Sequence, residues 1–543
     1  MSSLDALVAR LDALEREHAA LEHEQGALRE ALERAESERE EYQKLYQLLR
    51  EENARLKRGL LGQKAERLPP DERQLSLSVL QMLLAKGDGA AIEAVETETI
   101  HEHVRRKPSG RKPLPDDLPR VEIELIPPEV EREGLDAFER IGEETSEVLE
   151  RRPRSLVVVR VRRPKFVRKD RIPDGPTEVW IAPPAELPIE RGRAGPGLLA
   201  DTIVRRWQDS LPLHRMEGIF ARDGVELARS TICGWHEQLE PLVRPVVEAM
   251  WKDAFAQPFL CVDATGVLVQ AREKCRAGHF WVVAAPPRHV LFAYTPRHDK
   301  KAVDRVLAGY RGFLVADAHA VYDHLYASGE VVEVGCWAHL RRYFFTAMTS
   351  DPERAREGLA LITALFRIER TIAETPRLKR EAVRQAKSRP VVDRFFSWCD
   401  ALVEQVIADT PIAQALRYGR NQREALRRFL DDGRLPLHNN LSERQLRREV
   451  VGRKNWLFVG TDDAAQVNAT FVSLLASCGL HAIEPWAYLR DVLCLLPSWP
   501  RSRVLELAPA SWKETREQAD TQQRLAANPF RAALLSLDHP APS

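Results

Sequence analysis

Phe259 to Gln270 reads FLCVDATGVLVQ, an apolar run interrupted by one acid, Asp263, with a turn expected at Thr265-Gly266. A carboxylate inside such a run is disfavoured unless it is paired, hydrogen-bonded or holding a cation. HFWVVAAP (279–286) and HVLFAYTP (289–296) follow at hairpin-like spacing as two more strands. A charged helix is expected over Asp299–Leu307. GYRGFLVADAHAVYDHLY (309–326) then offers a fourth strand, GFLVAD, ended by Asp317, and EVVEVGCWAHLRRYF (330–344) a fifth that runs into a basic helix. Three antiparallel strands, a helix and a parallel strand with an acid at its carboxyl end describe a mixed α/β sheet, in which ligands collect beyond strand ends.

Working outward, a second informative stretch is LPLHNNLSERQLRREVVGRKNWLFVG, Leu435–Gly460. That much charge is not plain core, because it would have to be desolvated unpaired. A solvated helix followed by a strand is the plain reading, and strand-end or turn acids the plain reading of Asp263 and Asp317. The chemical alternative joins the three acids. Two carboxylates brought together repel unless a divalent cation resolves the conflict, and Mg²⁺ is content with a few carboxylates, waters and phosphate oxygens. Asp263, Asp317 and Glu443 would then form a phosphodiester-processing site holding two Mg²⁺ or Mn²⁺ ions. Arg444, Arg447, Arg448, Arg453 and Lys454 would position phosphates, with His339, Arg341 and Arg342 near the same rim. Salt bridges with nearby glutamates are the alternative role for these cations.

At 543 residues the chain exceeds one ordinary core. Lys+Arg and Asp+Glu balance at 81 each, so overall charge does not call for a nucleic-acid partner; the balance hides acidic and basic blocks. Seven cysteines without a CxxC pair suggest neither a disulfide scaffold nor a zinc ribbon, and a reducing compartment fits. No zinc is expected, since His101 and His103 have no cysteine or further histidine nearby. No apolar run approaches the ~20 residues of a membrane span and the first residues are not a signal peptide, so a soluble cytoplasmic protein is expected.

Toward the N-terminus, Leu7, Leu14, Leu21, Leu28, Ala35, Tyr42, Leu49 and Leu56 recur in sevens, with a second seam including Leu4, Leu11, Leu32 and Asn53. This predicts a coiled coil and a homodimer or higher oligomer, of open strand orientation. A basic, proline-punctuated arm, HEHVRRKPSGRKPLPDDLPR (101–120), reads either as a solvated linker or as an arm on DNA phosphates through Arg105, Arg106, Lys107, Arg111 and Lys112. VEIELI and SLVVVRVRRPKFV read as strands of a small β-containing module, and Ile172–Pro188 as a linker. From Gly197 to about Pro245, three helical segments around Asp223-Gly224 have helix-turn-helix proportions, or those of a structural three-helix cluster. Ser230 or Thr231 is expected to cap the third, and Arg229, Ser230 and Thr231 to face the major groove. A charge-laced helical insertion, expected to pack on the sheet or clamp DNA, precedes Leu435. A helical unit and a polar, partly disordered tail close the chain.

In order and motif, the chain resembles the large bacterial insertion-sequence transposases of the TnpC type. The likeness rests on LLGQKAERL, RRKPSGRKPLPDDLPR, LPLHRMEGIFARDGVELARSTICGW, CVDATG, FLVADAHAVYDHL, CWAHLRRYF, NNLSERQLRREVVGRKNWLFVG and PWAYLRDVL. The resemblance implies a DDE triad of Asp263, Asp317 and Glu443 on an RNase H-like fold with a helical insertion between its second and third acids. It also implies metal-dependent cleavage of double-stranded DNA at element ends and 3′-OH strand transfer into a target, in a bacterial, nucleoid-associated setting, with element-encoded accessory proteins as possible partners. The chain departs from the family pattern in having no cysteine before Cys233, Ala264 after the first Asp, Ala318-His319 after the second, and His438 before the Asn pair. An inactive DNA-binding relative, a nuclease without joining and a coiled-coil scaffold are the alternatives. The expected division is 1–68 coiled coil, 69–188 arm and β-containing module, 189–250 helix-turn-helix, 251–350 catalytic core, 351–435 helical insertion, 436–478 second part of the core with Glu443, and 479–543 C-terminal helices and tail.

Overall fold

The computed structural model describes residues 118–538 apart from 153–154, 170–177 and 273, together with 114, 116 and scattered positions from 10 to 39. The scattered positions are helical, and Leu21, Leu28 and Leu32 among them are exposed. The basic arm from Arg105 to Lys112 lies outside the described residues, as does most of the heptad seam. Described residues fall into two compact units, one containing Trp337–Arg434 and the other containing the sheets and resuming at Leu435.

The first sheet of the larger unit joins β1 (Arg120–Glu124), β2 (Phe138–Arg152), β3 (Ser155–Arg168) and β4 (Trp180–Ile181). Its central strand is β3, parallel to β1 and antiparallel to β2 and β4. Val157, Val159 and Val161 alternate into a core, as the sequence led one to expect. β2 was not expected, because FERIGEETSEVLERR has little apolar alternation. Its glutamates form a charge ladder across β3: Arg160 meets Glu147 at 3.1 Å, Arg162 meets Glu143 at 3.0 Å, and Arg163 and Lys165 meet Glu144 at 2.6 and 2.9 Å. Cross-strand opposite charges of this kind favour the pairing, and they use up much of the basic run before Lys169.

Three helices follow. α1 (Pro196–Ile203) continues into a wider turn over Val204–Gln208, α2 spans Leu213–Arg222, and α3 runs 27 residues from Arg229 to Phe255. Gly224, at φ 82°, makes the turn after α2, and Met216, Phe220, Val225 and Ile232 are buried around it. The expected side-chain cap is corrected: Ala228 occupies the cap position and no side chain caps α3. The chain enters the helix extended at Ala228, which places Ser230 and Thr231 already inside it.

Three residues beyond α3 the second sheet begins. β5 (Phe259–Val269), β6 (Arg276–Ala285) and β7 (His289–Thr295) are antiparallel neighbours; β8 (Gly312–Val315) runs parallel to β5, and β9 (Val331–Val334) parallel to β8. The order is β7-β6-β5-β8-β9. Between β7 and β8 lies α4 (Lys300–Val306), capped by Asp299, whose side chain accepts from the Ala302 N–H. Phe280, Trp281, Val282 and Val283 are fully buried at the sheet's centre.

The smaller unit is helical, with α5 (Trp337–Ala347), α6 (Pro352–Thr371), α7 (Arg389–Val403) and α8 (Pro411–Asn421). Trp337 and Phe395 pack edge-to-face at 5.3 Å in its core. Arg384 is buried there with Glu369 at 2.7 Å and the carbonyls of Phe429 and Asp432 at 2.6 and 3.0 Å. Such saturation of its donors is what makes a buried guanidinium tolerable.

Back in the larger unit come α9 (Asn440–Trp456), α10 (Asp462–Leu480) and α11 (Pro485–Leu495). α10 lies along β7: Ser473 and Ser477 hydroxyls accept from the Phe292 and Val290 N–H groups at 2.8 and 3.0 Å. The free edge of the sheet is thereby satisfied by side chains. The tail expected to be partly disordered instead forms helices at Pro509–Glu517, Ala519–Ala527 and Pro529–Asp538. Trp512, Leu525 and Phe530 are buried, the last against the valines of the first sheet, which gives this polar stretch an apolar anchor.

Candidate active site

Register decides where the first two acids fall. Cys261 of β5 pairs with Val315 of β8 in a parallel ladder, and Asp263 and Asp317 each stand two residues further along. Asp263 is still within β5, whereas β8 ends at Val315 and Asp317 stands in the segment that leaves it, so both acids lie toward the same end of the β5–β8 pair. Asp263 Oδ1 accepts the Ala264 N–H at 2.8 Å, which orients the carboxylate. Tyr322 is buried beside them, and its phenol is held well above its ordinary pKa by burial, then by the charges of Asp317 and Asp263.

Glu443 is brought in by the start of α9. Asn439, buried at the cap position, donates from Nδ2 to the Val262 carbonyl at 2.8 Å, and its own N–H meets Cys336 Sγ at 3.2 Å. Ser442 Oγ donates to the Asn439 carbonyl at 2.9 Å, and the Glu443 N–H reaches the same oxygen at 3.2 Å. Val262 precedes Asp263, so the first turn of α9 is fastened to the strand that carries the first acid. Cys336 Sγ and the Glu443 carboxylate approach within 4.8 Å. The sequence by itself assigns the Asn pair no role and does not mark Cys336 or Tyr322; an asparagine pair just before a charged helix is the signal it carries.

The departures around the three acids have local structural employment. Besides Ala264, His319 Nδ1 accepts the Val321 N–H at 3.2 Å and His438 Nδ1 accepts the Asn440 N–H at 3.4 Å. His319 also ends a row of imidazoles that runs through His298 and His279 at centroid separations of 4.9 and 5.2 Å. Trp281 stacks on His298, whose pKa is lowered first by burial and then by its histidine neighbours. The row borders a cleft of about 750 Å³ lined by Arg276, Arg297 and Asp462, none of which stood out in the sequence.

The five cations of α9 divide. Arg444, Arg447 and Lys454 are exposed. Arg448 is half-buried, donating to Gln208 Oε1 at 2.6 Å and Gln445 Oε1 at 3.1 Å, with its pKa lowered by burial. Arg453 stitches α9 to β5, donating to Thr265 Oγ1 at 2.9 Å and to the Gly266 carbonyl; the turn expected at Thr265-Gly266 is corrected, since both residues lie within the continuous strand and pair with Phe280 and His279. Behind the helix, burial pushes Glu449 up to about 7, and it holds Asn468 at 3.3 Å. Burial also lowers nearby Arg206 to about 10, and its guanidinium lies 5.5 Å from the Trp456 ring centre.

Arg229, Ser230 and Thr231 are all exposed on the first turn of α3. His339, Arg341 and Arg342 stand on α5, in the helical unit. No helix among the described residues is long and apolar enough to cross a membrane.

Comparison with known proteins places these observations in a lineage. Residues 191–467 match the model of the transposase IS66 family, residues 48–123 that of the transposase C of IS166 homeodomain, and residues 473–510 the IS66 C-terminal element. Similar chains occur in Sinorhizobium fredii. Uncharacterized protein y4hP is 30% identical over 491 residues, covering 84% of this chain and 87% of its own. Uncharacterized protein y4qI is 32% identical over 430 residues, covering 75% and 78%. The first match takes in the second sheet, both of its acids and the helix bearing Glu443, and the chain belongs to the IS66 family of transposases.

Proposed function

We propose that the chain cuts DNA at insertion-sequence ends and joins the freed 3′-OH to target DNA, using Asp263, Asp317 and Glu443 on an RNase H-like sheet. The observation that supports this reading is the parallel pairing of Cys261 with Val315, which puts Asp263 on β5 and Asp317 in the segment just after β8, both beside Tyr322, with α9 tied to β5 through Asn439 and Val262. Three carboxylates are hard oxygen donors that suit Mg²⁺ or Mn²⁺, and bound ions would supply charge neutralisation and acidify a hydroxyl at the phosphodiester.

The chain's own residues have distinct tasks. Asp263, Asp317 and Glu443 would hold the ions, while the Ala264 N–H orients the first carboxylate and Asn439 fixes the helix that carries the third. Tyr322 remains a neutral phenol and closes the site on its buried side. Arg444, Arg447 and Lys454 bind phosphates along α9; Arg448 and Arg453 keep the helix in position. Arg229, Ser230 and Thr231 read duplex DNA in the major groove, with Arg105, Arg106, Lys107, Arg111 and Lys112 on the backbone. His339, Arg341 and Arg342 add phosphate contacts from α5. In hydrolysis, water forms a new P–O bond as the P–O3′ bond breaks, and the leaving 3′-oxygen takes up a proton to become 3′-OH; in joining, that hydroxyl loses its proton and forms a new P–O bond as a target P–O3′ bond breaks and its 3′-oxygen is protonated, so no cofactor is consumed. Pairing through the N-terminal heptads brings two ends together.

The deciding experiment incubates labelled end duplex with the full chain and Mg²⁺ or Mn²⁺, wild type against Glu443→Gln. Nicking and joined products from wild type alone are expected. Equal activity in the two would remove Glu443 from the site, nicking without joined product would reduce the protein to a nuclease, and binding without nicking would leave a DNA-binding relative.

A further inference from the structure

The end of α9 is strained. Leu457 sits at φ 64°, ψ −49°, and the Phe458 N–H closes back onto the Trp456 carbonyl at 2.8 Å. This is a γ-turn of the rare positive-φ kind, a backbone state that a leucine adopts only when its surroundings impose it. They do so on both sides. The Leu457 N–H is tied to the Arg453 carbonyl at 2.9 Å, and Val459 pairs with β5 through Leu268 and Gln270 at 2.9 and 2.8 Å. Trp456 is seated over Gly452, where any Cβ would come within 2.7 Å of its indole nitrogen.

The strained turn leaves Leu457 64% and Phe458 40% exposed, and the strand register sets Leu268, 50% exposed, beside Phe458. A contiguous outward apolar patch of this sort marks a contact surface. Its approach carries three cations: Arg444, Arg447 and Lys454 share, with the apolar Val451, one exposed face of α9 at spacings of three and four, leading from the turn of Glu443 to the patch. A basic stripe ending in large apolar side chains fits DNA whose bases are parted by a wedge. Fourteen helical residues separate Glu443 from Leu457, roughly 21 Å at 1.5 Å per residue. At about 3.4 Å per base step, that reach is roughly six nucleotides.

We propose that Leu457 and Phe458 form a wedge that unstacks the DNA about six nucleotides from the scissile phosphate, with Arg444, Arg447 and Lys454 guiding the backbone to it. The inference rests on the transposase reading of the same helix. The wedge fixes how far the end enters the site, so that the carboxylates address one phosphate and not its neighbours.

The test uses full-length protein and duplexes bearing the terminal sequence of its own element, with 2-aminopurine placed singly at each position within about ten nucleotides of the cut. Binding of wild type is expected to raise fluorescence at positions about five to seven nucleotides from the cut, as base steps open. Phe458→Ala, and Leu457→Gly as a variant that relieves the φ strain, are expected to lose this rise and to cleave paired ends roughly tenfold more slowly, the scale of one base–side-chain stack. Cleavage by both is expected to recover on ends mispaired at those positions, a rescue that a merely structural role would not give. Wild type that binds and nicks without any fluorescence rise overturns the wedge alone, as does an undiminished rise in both variants. Wild type that neither binds nor nicks these duplexes overturns the transposase reading beneath it.

Discussion

Asn439 Nδ2 donates to the Val262 carbonyl at 2.8 Å, across 177 residues of chain. This one bond fastens the helix of the third acid to the strand of the first, and it needs a donor. Asn439→Asp keeps the shape and removes the donor, placing a carboxylate against a carbonyl oxygen. It is expected to lower stability by about 1–3 kcal/mol, the range for disrupting a buried hydrogen bond. End cleavage is expected to fall about tenfold to a hundredfold as Glu443 loses its placement. Denaturant melts and single-turnover nicking check both; unchanged nicking would show that the tether is not needed to position Glu443.

Glu150 gives the fold a pH dependence of known sign. Fully buried, it accepts the N–H groups of Arg151 and Leu198 at 2.7 and 2.6 Å, yet burial pushes its carboxyl from 4.5 up to about 7. The folded state holds its proton where the unfolded chain has lost it, so this contribution to stability is full below pH 4.5 and declines until about pH 7. The decline amounts to about 3 kcal/mol at 1.36 kcal/mol per unit, and Glu449, also raised to about 7, acts in the same direction. Glu150→Gln, which keeps an accepting oxygen, is expected to flatten the slope. Urea midpoints between pH 4.5 and 7.5 that do not move apart for the two proteins would refute it.

Ser473 and Ser477 make another sequence-distant fastening. Replacing both by alanine strips the Phe292 and Val290 N–H groups of their hydroxyl partners, and a loss of about 1–3 kcal/mol is expected for each buried donor left unsatisfied. Amide exchange of β7 should quicken before that of β5, which lies inside the sheet. Uniform exchange rates across the two strands would mean that the serines do not hold the edge.

Much of the second sheet was legible because each strand is an apolar run punctuated by turn residues, and because Asp263 and Asp317 interrupt or end such runs. β2 was not legible: its glutamates have no periodic apolar signal, and their partners on β3 are identified only by register. The tail's helices were hidden for a related reason, since Trp512, Leu525 and Phe530 are too sparse to mark a face until a distant sheet receives them. Arg448 and Arg453 looked like Arg444 and Arg447 in the sequence. Only the fold shows two of them bonded to Gln208 and to Thr265 of β5, and two facing water.

The two serines on α10 also bear on how copies of such genes decay. A frameshift or stop codon just before residue 473 would spare all three acids while discarding the hydroxyls that cover β7. The shortened product would display a bare, strongly apolar strand margin to every other copy in the cell. Its expected fate is self-association and degradation by proteases, so that loss of a segment remote from the chemistry would silence the gene as thoroughly as loss of an acid.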